Sequence, residues 1–213
     1  MITVKSIEEA AQRIKQVVQR TPLMKDQILS ERYGASVYLK REDLQTVRSY
    51  KIRGAFNKIA SLTKEERVKG VVCASAGNHA QGVALSCRHL GIKGRVFMPT
   101  TTPKQKIRQV SMFGREWVDV VLIGDTYDQA YEAAMADCKA HSSVFIHPFD
   151  DKLVMAGQGT IGLELLEQTD FPVDYVMAPI GGGGLVSGLG SWLRVKSPAT
   201  RIIGVEPEGA PAM

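Results

Sequence analysis

Apolar positions near the start of the chain recur at helical spacing: Ile7, Ala10, Ala11, Ile14, Val17 and Val18 share one face. Ser6-Ile7-Glu8-Glu9 reads as the capping box that opens this helix, and Thr21-Pro22 ends it. Residues 36–39 read as a strand with Lys40-Arg41-Glu42-Asp43 as its polar exit. Ala55, Phe56, Ile59, Ala60 and Leu62 predict a helix that begins at Lys51 with Ser49 as N-cap. Val71-Val72-Cys73-Ala74 is a short apolar strand. A helix from about Ala80 follows it, with Val83, Ala84, Cys87 and Leu90 on one face and Gly91 at its C-terminus.

The alternation then repeats. Strands are predicted over 95–98, 118–123, 144–146, 175–178 and 202–205. Between them lie a helix opened by Thr102-Pro103, one over 127–141, one that Gly157-Gln158-Gly159-Thr160 leads into and that runs to Leu166, and one from the glycines at 181–184 to Leu193. Strands alternating with helices at this spacing predict an α/β fold with mostly parallel sheet. A strand so close to Met213 should be followed by a helix, so the sequence is expected to break off inside a domain.

Composition narrows the function classes. The 213 residues are 44% hydrophobic and 23% charged, as in an ordinary globular protein, and no apolar run approaches a membrane span. The start lacks an apolar signal core, so a cytoplasmic protein is expected. Cys73, Cys87 and Cys138 are widely spaced and form no C-x-x-C pair, which argues against a disulfide framework or zinc site. The net charge of +5 is spread among acidic residues rather than massed with aromatics. Nucleic acid is therefore not the expected partner, and an anionic small molecule is compatible.

Three stretches carry chemistry. Lys51 stands at a helix start, where the dipole disfavours an ammonium; desolvation would lower its pKa further and free an amine able to attack a carbonyl. A lone lysine is ordinarily a solvated surface residue; what sets Lys51 apart is its company. Gly181, Gly182, Gly183 and Gly184 lie between a strand and a helix, where successive N–H groups form an anion nest suited to phosphate. No P-loop pattern occurs. A dinucleotide site competes, because Glu206 ends the next strand, but Ser187 stands where its third glycine belongs. Ser75-Ala76-Gly77-Asn78-His79-Ala80-Gln81-Gly82 is another strand-to-helix loop, able to hold a carboxylate. In it His79 can be a base, a ligand or simply a turn residue. A reactive lysine, a phosphate nest and a carboxylate nest together suit an aldehyde with a phosphate tail, namely pyridoxal 5'-phosphate.

Lys40-Arg41-Glu42-Asp43-Leu44, Ser49-Tyr50-Lys51-Ile52-Arg53-Gly54-Ala55, the loop from Ser75 to Gly82 and the four glycines resemble the threonine dehydratase (threonine deaminase) family, most of all its biosynthetic branch in isoleucine formation. Gly124-Asp125-Thr126-Tyr127 and Gly157-Gln158-Gly159-Thr160 also fit it. The resemblance implies a two-lobed fold-type II (tryptophan synthase β-like) pyridoxal phosphate enzyme. Its large lobe would comprise residues 1–53 and an incomplete 148–213, and its small lobe residues 54–147. It implies α,β-elimination of ammonia from L-threonine or L-serine, giving 2-oxobutanoate or pyruvate.

By the same resemblance Lys51 is the Schiff-base lysine and the acid/base at the substrate Cα. Tyr50, where relatives usually have Phe, lies beside the cofactor. Asn78 pairs with its phenolic oxygen, and Gly181, Gly182, Gly183, Gly184 and Leu185 hold its phosphate. Ser75, Gly77, Asn78 and His79 lie where the substrate carboxylate binds. A homo-oligomer is implied. Serine racemases are similar too, but their second acid/base serine corresponds to Ala76. Of their metal carboxylates Glu206 remains, while an aspartate is replaced at Ala212, so no metal is expected. The competing readings are a serine racemase/dehydratase, a non-catalytic cofactor-binding module and a dinucleotide-dependent oxidoreductase.

Overall fold

The computed structural model describes residues 2–212. In chain order the elements are α1 (Val4–Ile14), β1 (Leu23–Lys25), α2 (Gln27–Tyr33), β2 (Tyr38–Lys40), α3 (Lys51–Ala60), α4 (Lys64–Lys69), β3 (Val71–Ala74), α5 (Asn78–Leu90), β4 (Gly94–Met98), α6 (Lys104–Gly114), β5 (Val118–Leu122), α7 (Tyr127–His141), β6 (Val144–Phe145), α8 (Lys152–Glu167), β7 (Tyr175–Pro179), α9 (Gly184–Lys196) and β8 (Arg201–Val205).

The central sheet has the order β5-β4-β3-β6, all parallel. Every side chain of β3 is buried, as expected for a parallel strand covered on both faces. Its two-residue period sends Val71 and Cys73 into one core with Ile59 of α3 and Val83, Ala84 and Cys87 of α5. Val72 and Ala74 enter the other core, with Ala130 and Ala134 of α7. Burial pushes the Cys87 thiol up to about 12 and raises that of Cys73 as well, so both stay protonated.

A separate core joins Ile7 and Ala10 of α1 to α8, α9 and β7, with Leu189, Trp192 and Leu193 at its centre. The parallel pair β7-β8 and the antiparallel pair β1-β2 form two further small sheets.

Several local expectations shift. The first capping box is built by Thr3 and Ser6, so α1 starts one turn earlier than the Ser6 box implied. Ser49 does not cap α3; Tyr50 holds the N-cap position with no side-chain bond, and the buried Ser49 hydroxyl has no partner among the described residues. Gly157-Gln158-Gly159-Thr160 does not precede a helix but lies inside α8, whose N-cap is Asp151, accepting from Leu153 N at 2.7 Å and Val154 N at 3.1 Å. The glycines there serve a helix crossing: a Cβ on Gly157 would lie 2.6 Å from Arg53 O, and one on Gly54 2.7 Å from Val154 O. Backbone meets backbone, which fixes α3 on α8.

Beneath that crossing lies a buried ionic cluster. The fully buried Arg53 guanidinium donates to Glu42 Oε1 and Oε2 at 2.7 and 2.8 Å and to Glu164 Oε1 and Oε2 at 2.6 and 2.9 Å. Lys40 Nζ donates to Glu164 Oε2 at 2.6 Å and Thr21 O at 2.7 Å. Two cations face two carboxylates. Burial opposes charge on Lys40, Glu42 and Arg53, yet the hydrogen bonds from Arg53 hold Glu42 below the usual carboxylate range, and those to Glu42 and Glu164 keep Arg53 protonated. Lys40 and Glu42, expected from sequence as a polar exit, are instead the anchor of α3.

Candidate active site

The sheet order reverses at β3: the chain leaves it toward β4 on one side, while β6 adds on the other. In open α/β sheets the crevice at the carboxyl ends of two such strands is where ligands bind. The loops leaving β3 and β6 carry Ser75, Ala76 and Gly77, then α5 from Asn78, and the segment 146–151 before α8.

A histidine ties these loops together. His79 Nε2 is 2.8 Å from Ile146 O, and since a carbonyl only accepts, Nε2 carries the proton. Nδ1 is then a bare acceptor; it is buried and has no partner among the described residues. Burial, with smaller contributions from Lys51 and His147, pushes the His79 pKa down to about 3, so the ring is neutral at physiological pH. The His79 side chain therefore spans the two loops, and what α5 offers outward is its first-turn N–H groups, the exposed Asn78 side chain and the half-buried Ser75.

Lys51 is the first residue of α3. The second turn of α5 presses on it: a Cβ on Gly82 would come within 3.2 Å of Lys51 O. Lys51 Nζ donates to Pro148 O at 2.9 Å and lies 5.4 Å from the Tyr50 ring centroid. Burial lowers its pKa from the ordinary lysine value. The hydroxyl of the half-buried Tyr50 is pushed the other way by burial, toward staying protonated.

The glycine turn follows β7. Gly183 holds φ +76°, a conformation side chains rarely adopt, and N-caps α9, which begins at Gly184 with Leu185 buried behind it. Within the first turn of α9 the N–H groups have no intrahelical acceptor. Phe149 packs on this turn: a Cβ on Gly182 would overlap its ring, and one on Gly184 would lie 2.9 Å from its carbonyl oxygen. Pro148 and Phe149 are adjacent, so one dipeptide touches both Lys51 and the glycine turn.

The residues singled out from sequence thus fall into one region. Lys51, the start of α5 and the turn before α9 are all joined through residues 146–149. The geometry fits a phosphorylated aldehyde. Gly181 and Gly77 point to open space, since a Cβ on either would meet no atom within 4 Å. Neither has a positive φ, so neither packing nor conformation excludes a side chain there. Two buried polar atoms nearby in sequence, Ser49 Oγ and His79 Nδ1, are unpartnered among the described residues. Pro148, Phe149 and His147 escaped the sequence reading; their signal was position, directly after a parallel strand.

No group of three or more His, Cys, Asp or Glu side chains among the described residues is placed to hold a metal ion. Glu206 accepts a bond from Ala212 N at 2.8 Å.

The chain is 56% identical over 212 residues to a biosynthetic L-threonine dehydratase, IlvA, of Halalkalibacterium halodurans, covering 100% of this chain and 51% of that protein. It spans about half the length of the curated relatives it matches. Among solved structures it superposes on the processed threonine deaminase isoform 2 of Solanum lycopersicum with TM-score 0.88 and 43% identity, covering 97% of this chain and 60% of that one. A maize serine racemase gives TM-score 0.93 at 35% identity, covering 98% and 62%. The profile of the family described as pyridoxal-phosphate dependent enzyme matches residues 14–213, and the chain belongs to that family.

Proposed function

We propose that the protein to which this chain belongs deaminates L-threonine, and also L-serine, to 2-oxobutanoate or pyruvate and ammonia, at the head of isoleucine synthesis. The observation that carries this reading is the half-buried Lys51 amine, held by one backbone carbonyl between the start of α5 and the glycine turn. Pyridoxal phosphate, when bound, supplies an aldehyde for a lysine and a ring that delocalises the electron pair left at the substrate Cα.

The chain's own residues supply the rest. Lys51, its pKa lowered by burial, would hold the aldehyde end of that group and would take the proton from the substrate Cα. The N–H groups around Gly181, Gly182, Gly183, Gly184 and Leu185 hold the phosphate. Asn78 would hold the phenolic side of the cofactor and Tyr50 its ring. The first turn of α5, with Ser75, Gly77 and the His79 amide, receives the substrate carboxylate. The neutral His79 ring holds that turn against the β6 loop. Residues 54–147 are the smaller lobe in this reading, supported by the central sheet lying wholly inside them, with 1–53 and 148–213 forming the larger lobe. A cytoplasmic homo-oligomer is proposed with it; no helix among the described residues is long and apolar enough to cross a membrane.

The test is a 2-oxoacid assay on the protein in its complete native form, given pyridoxal phosphate and L-threonine. Product should form, and Lys51→Ala should lower turnover at least about a thousandfold. Borohydride should no longer fix cofactor to the chain. Cofactor bound without product would leave a binding module; tight NAD binding without lysine-linked cofactor would favour the oxidoreductase.

A further inference from the structure

We propose that Phe149 is a positioning residue of the cofactor site: it fixes the phosphate-binding turn in register with Lys51. This rests on the reading above and deepens it, since no role was assigned to Phe149.

Four contacts converge on its backbone and ring. Its ring lies against Gly182, where a Cβ would overlap it. Its Cα and carbonyl oxygen would lie 3.0 and 2.9 Å from a Cβ on Gly184. Its N–H points at His147 Nδ1 at 3.3 Å, and the next amide, Asp150 N, donates to the same atom at 2.8 Å. The preceding carbonyl, Pro148 O, accepts from Lys51 Nζ at 2.9 Å. The His147 ring packs edge-on against the Phe149 ring at 4.7 Å between centroids.

The ring therefore cannot swing aside freely. Its Cα is pinned on Gly184, its amide on His147, and one flank on the His147 ring. A buttress fixed this way sets where the glycine turn can sit, and the same dipeptide sets where the Lys51 amine sits. A cofactor held at its phosphate by one and at its aldehyde by the other needs that distance held constant, since pre-organised contacts retain more of their binding free energy. The buttress also explains the glycine at 182. Its φ is not positive, so its backbone tolerates a side chain, and the Phe149 ring is what excludes one.

That explanation makes the test a double-mutant cycle on Gly182→Ala, Phe149→Ala and the pair. Without cofactor, thermal melting of the chain reads the contact. Gly182→Ala should lower the midpoint, and the pair should melt higher than the sum of the single changes allows. With pyridoxal phosphate, titration followed by absorbance reads the consequence. Gly182→Ala should weaken binding about tenfold or more, and Phe149→Ala in the same chain should recover part of it. Phe149→Ala alone should weaken pyridoxal phosphate more than phosphate-free pyridoxal, whereas general loosening of the fold weakens both alike. If Phe149→Ala fails to fold, Phe149→Leu takes its place in the cycle, with partial recovery expected.

Additive melting shifts, a Gly182→Ala chain that binds like wild type, or equal loss of pyridoxal phosphate and pyridoxal would each overturn the proposal. Wild-type protein in its complete native form that binds no pyridoxal phosphate removes the underlying reading instead, and does so in the control alone.

Discussion

At the scale of single residues the site depends on groups kept neutral by burial. His79 is the clearest case, with a folded pKa of about 3 against an ordinary value near 6.5. Between those values the unfolded chain binds the proton and the folded one does not, so stability falls as pH drops below about 6.5. The limiting slope for one proton is about 1.4 kcal/mol per pH unit. His147, also lowered mainly by burial, adds in the same direction. The depressed carboxylates Glu42 and Asp151 act only lower down, below the ordinary carboxylate pKa near 4.5. Urea denaturation at pH 7 and pH 5 should therefore show a marked loss in the wild type and a smaller one in His79→Asn, which keeps a donor for Ile146 O. Equal losses would mean that His79 titrates normally. Ala76 decides a second matter. In the function proposed above it stands where serine racemases carry their second acid/base serine, and it has no group to return a proton. Chiral analysis of L-serine incubated with the enzyme should find pyruvate and little D-serine; D-serine accumulating at the pyruvate rate would refute this.

At the scale of elements, α3 is held by two devices the local sequence does not announce. One is its backbone contact with α8 through Gly54 and Gly157; the other is the Arg53 cluster. Removing one carboxylate leaves buried cations short of a partner, which is far more damaging than losing a surface ion pair. Glu164→Gln keeps the shape and deletes the charge. It should destabilise the chain by about 3 kcal/mol, measured by urea denaturation, because Lys40 and Arg53 both donate to Glu164. A change under about 0.5 kcal/mol would put the cluster in the same class as exposed pairs such as Arg20–Glu167, where both side chains are 56% exposed. Since Arg53 follows Lys51 by two residues, the cluster fixes the helix that presents the amine without touching the chemistry.

For the whole molecule, the β7-β8 pair is the open flank. Tyr175 (54%), Met177 (71%), Ile203 (38%) and Val205 (52%) are exposed on it, an unusual concentration of apolar surface on a sheet. Unpaired strand backbone beside apolar side chains favours edge-to-edge association. The 213 residues on their own should therefore self-associate, and Met177→Glu should lower light scattering at a given concentration. Unchanged scattering would place the association elsewhere, for example on the exposed Ile28 and Tyr33 of α2.

The sequence alone determined the order and type of most elements, because a period of two or 3.6 residues reports which face each must bury. It placed Lys51 at a helix start because apolar positions recur at helical spacing after it, and it placed the start of α5 and the glycine turn because glycines mark where a chain bends. It missed β1, α2 and α4, which are short and bury almost nothing, although Thr63 and Glu66 form a capping box before α4. It read Gly157 as a helix entry, because a glycine required by a neighbouring backbone looks locally like one required by a turn. Only tertiary structure could decide that Lys40 and Glu42 point inward, that His79 bonds to Ile146 rather than facing outward, and that Phe149 sits on Gly182. Those contacts join residues 11 to 124 positions apart. Hydrophobic period and capping are local and repeat along the chain, whereas a salt bridge or a steric stop depends on which distant segment folding brings alongside.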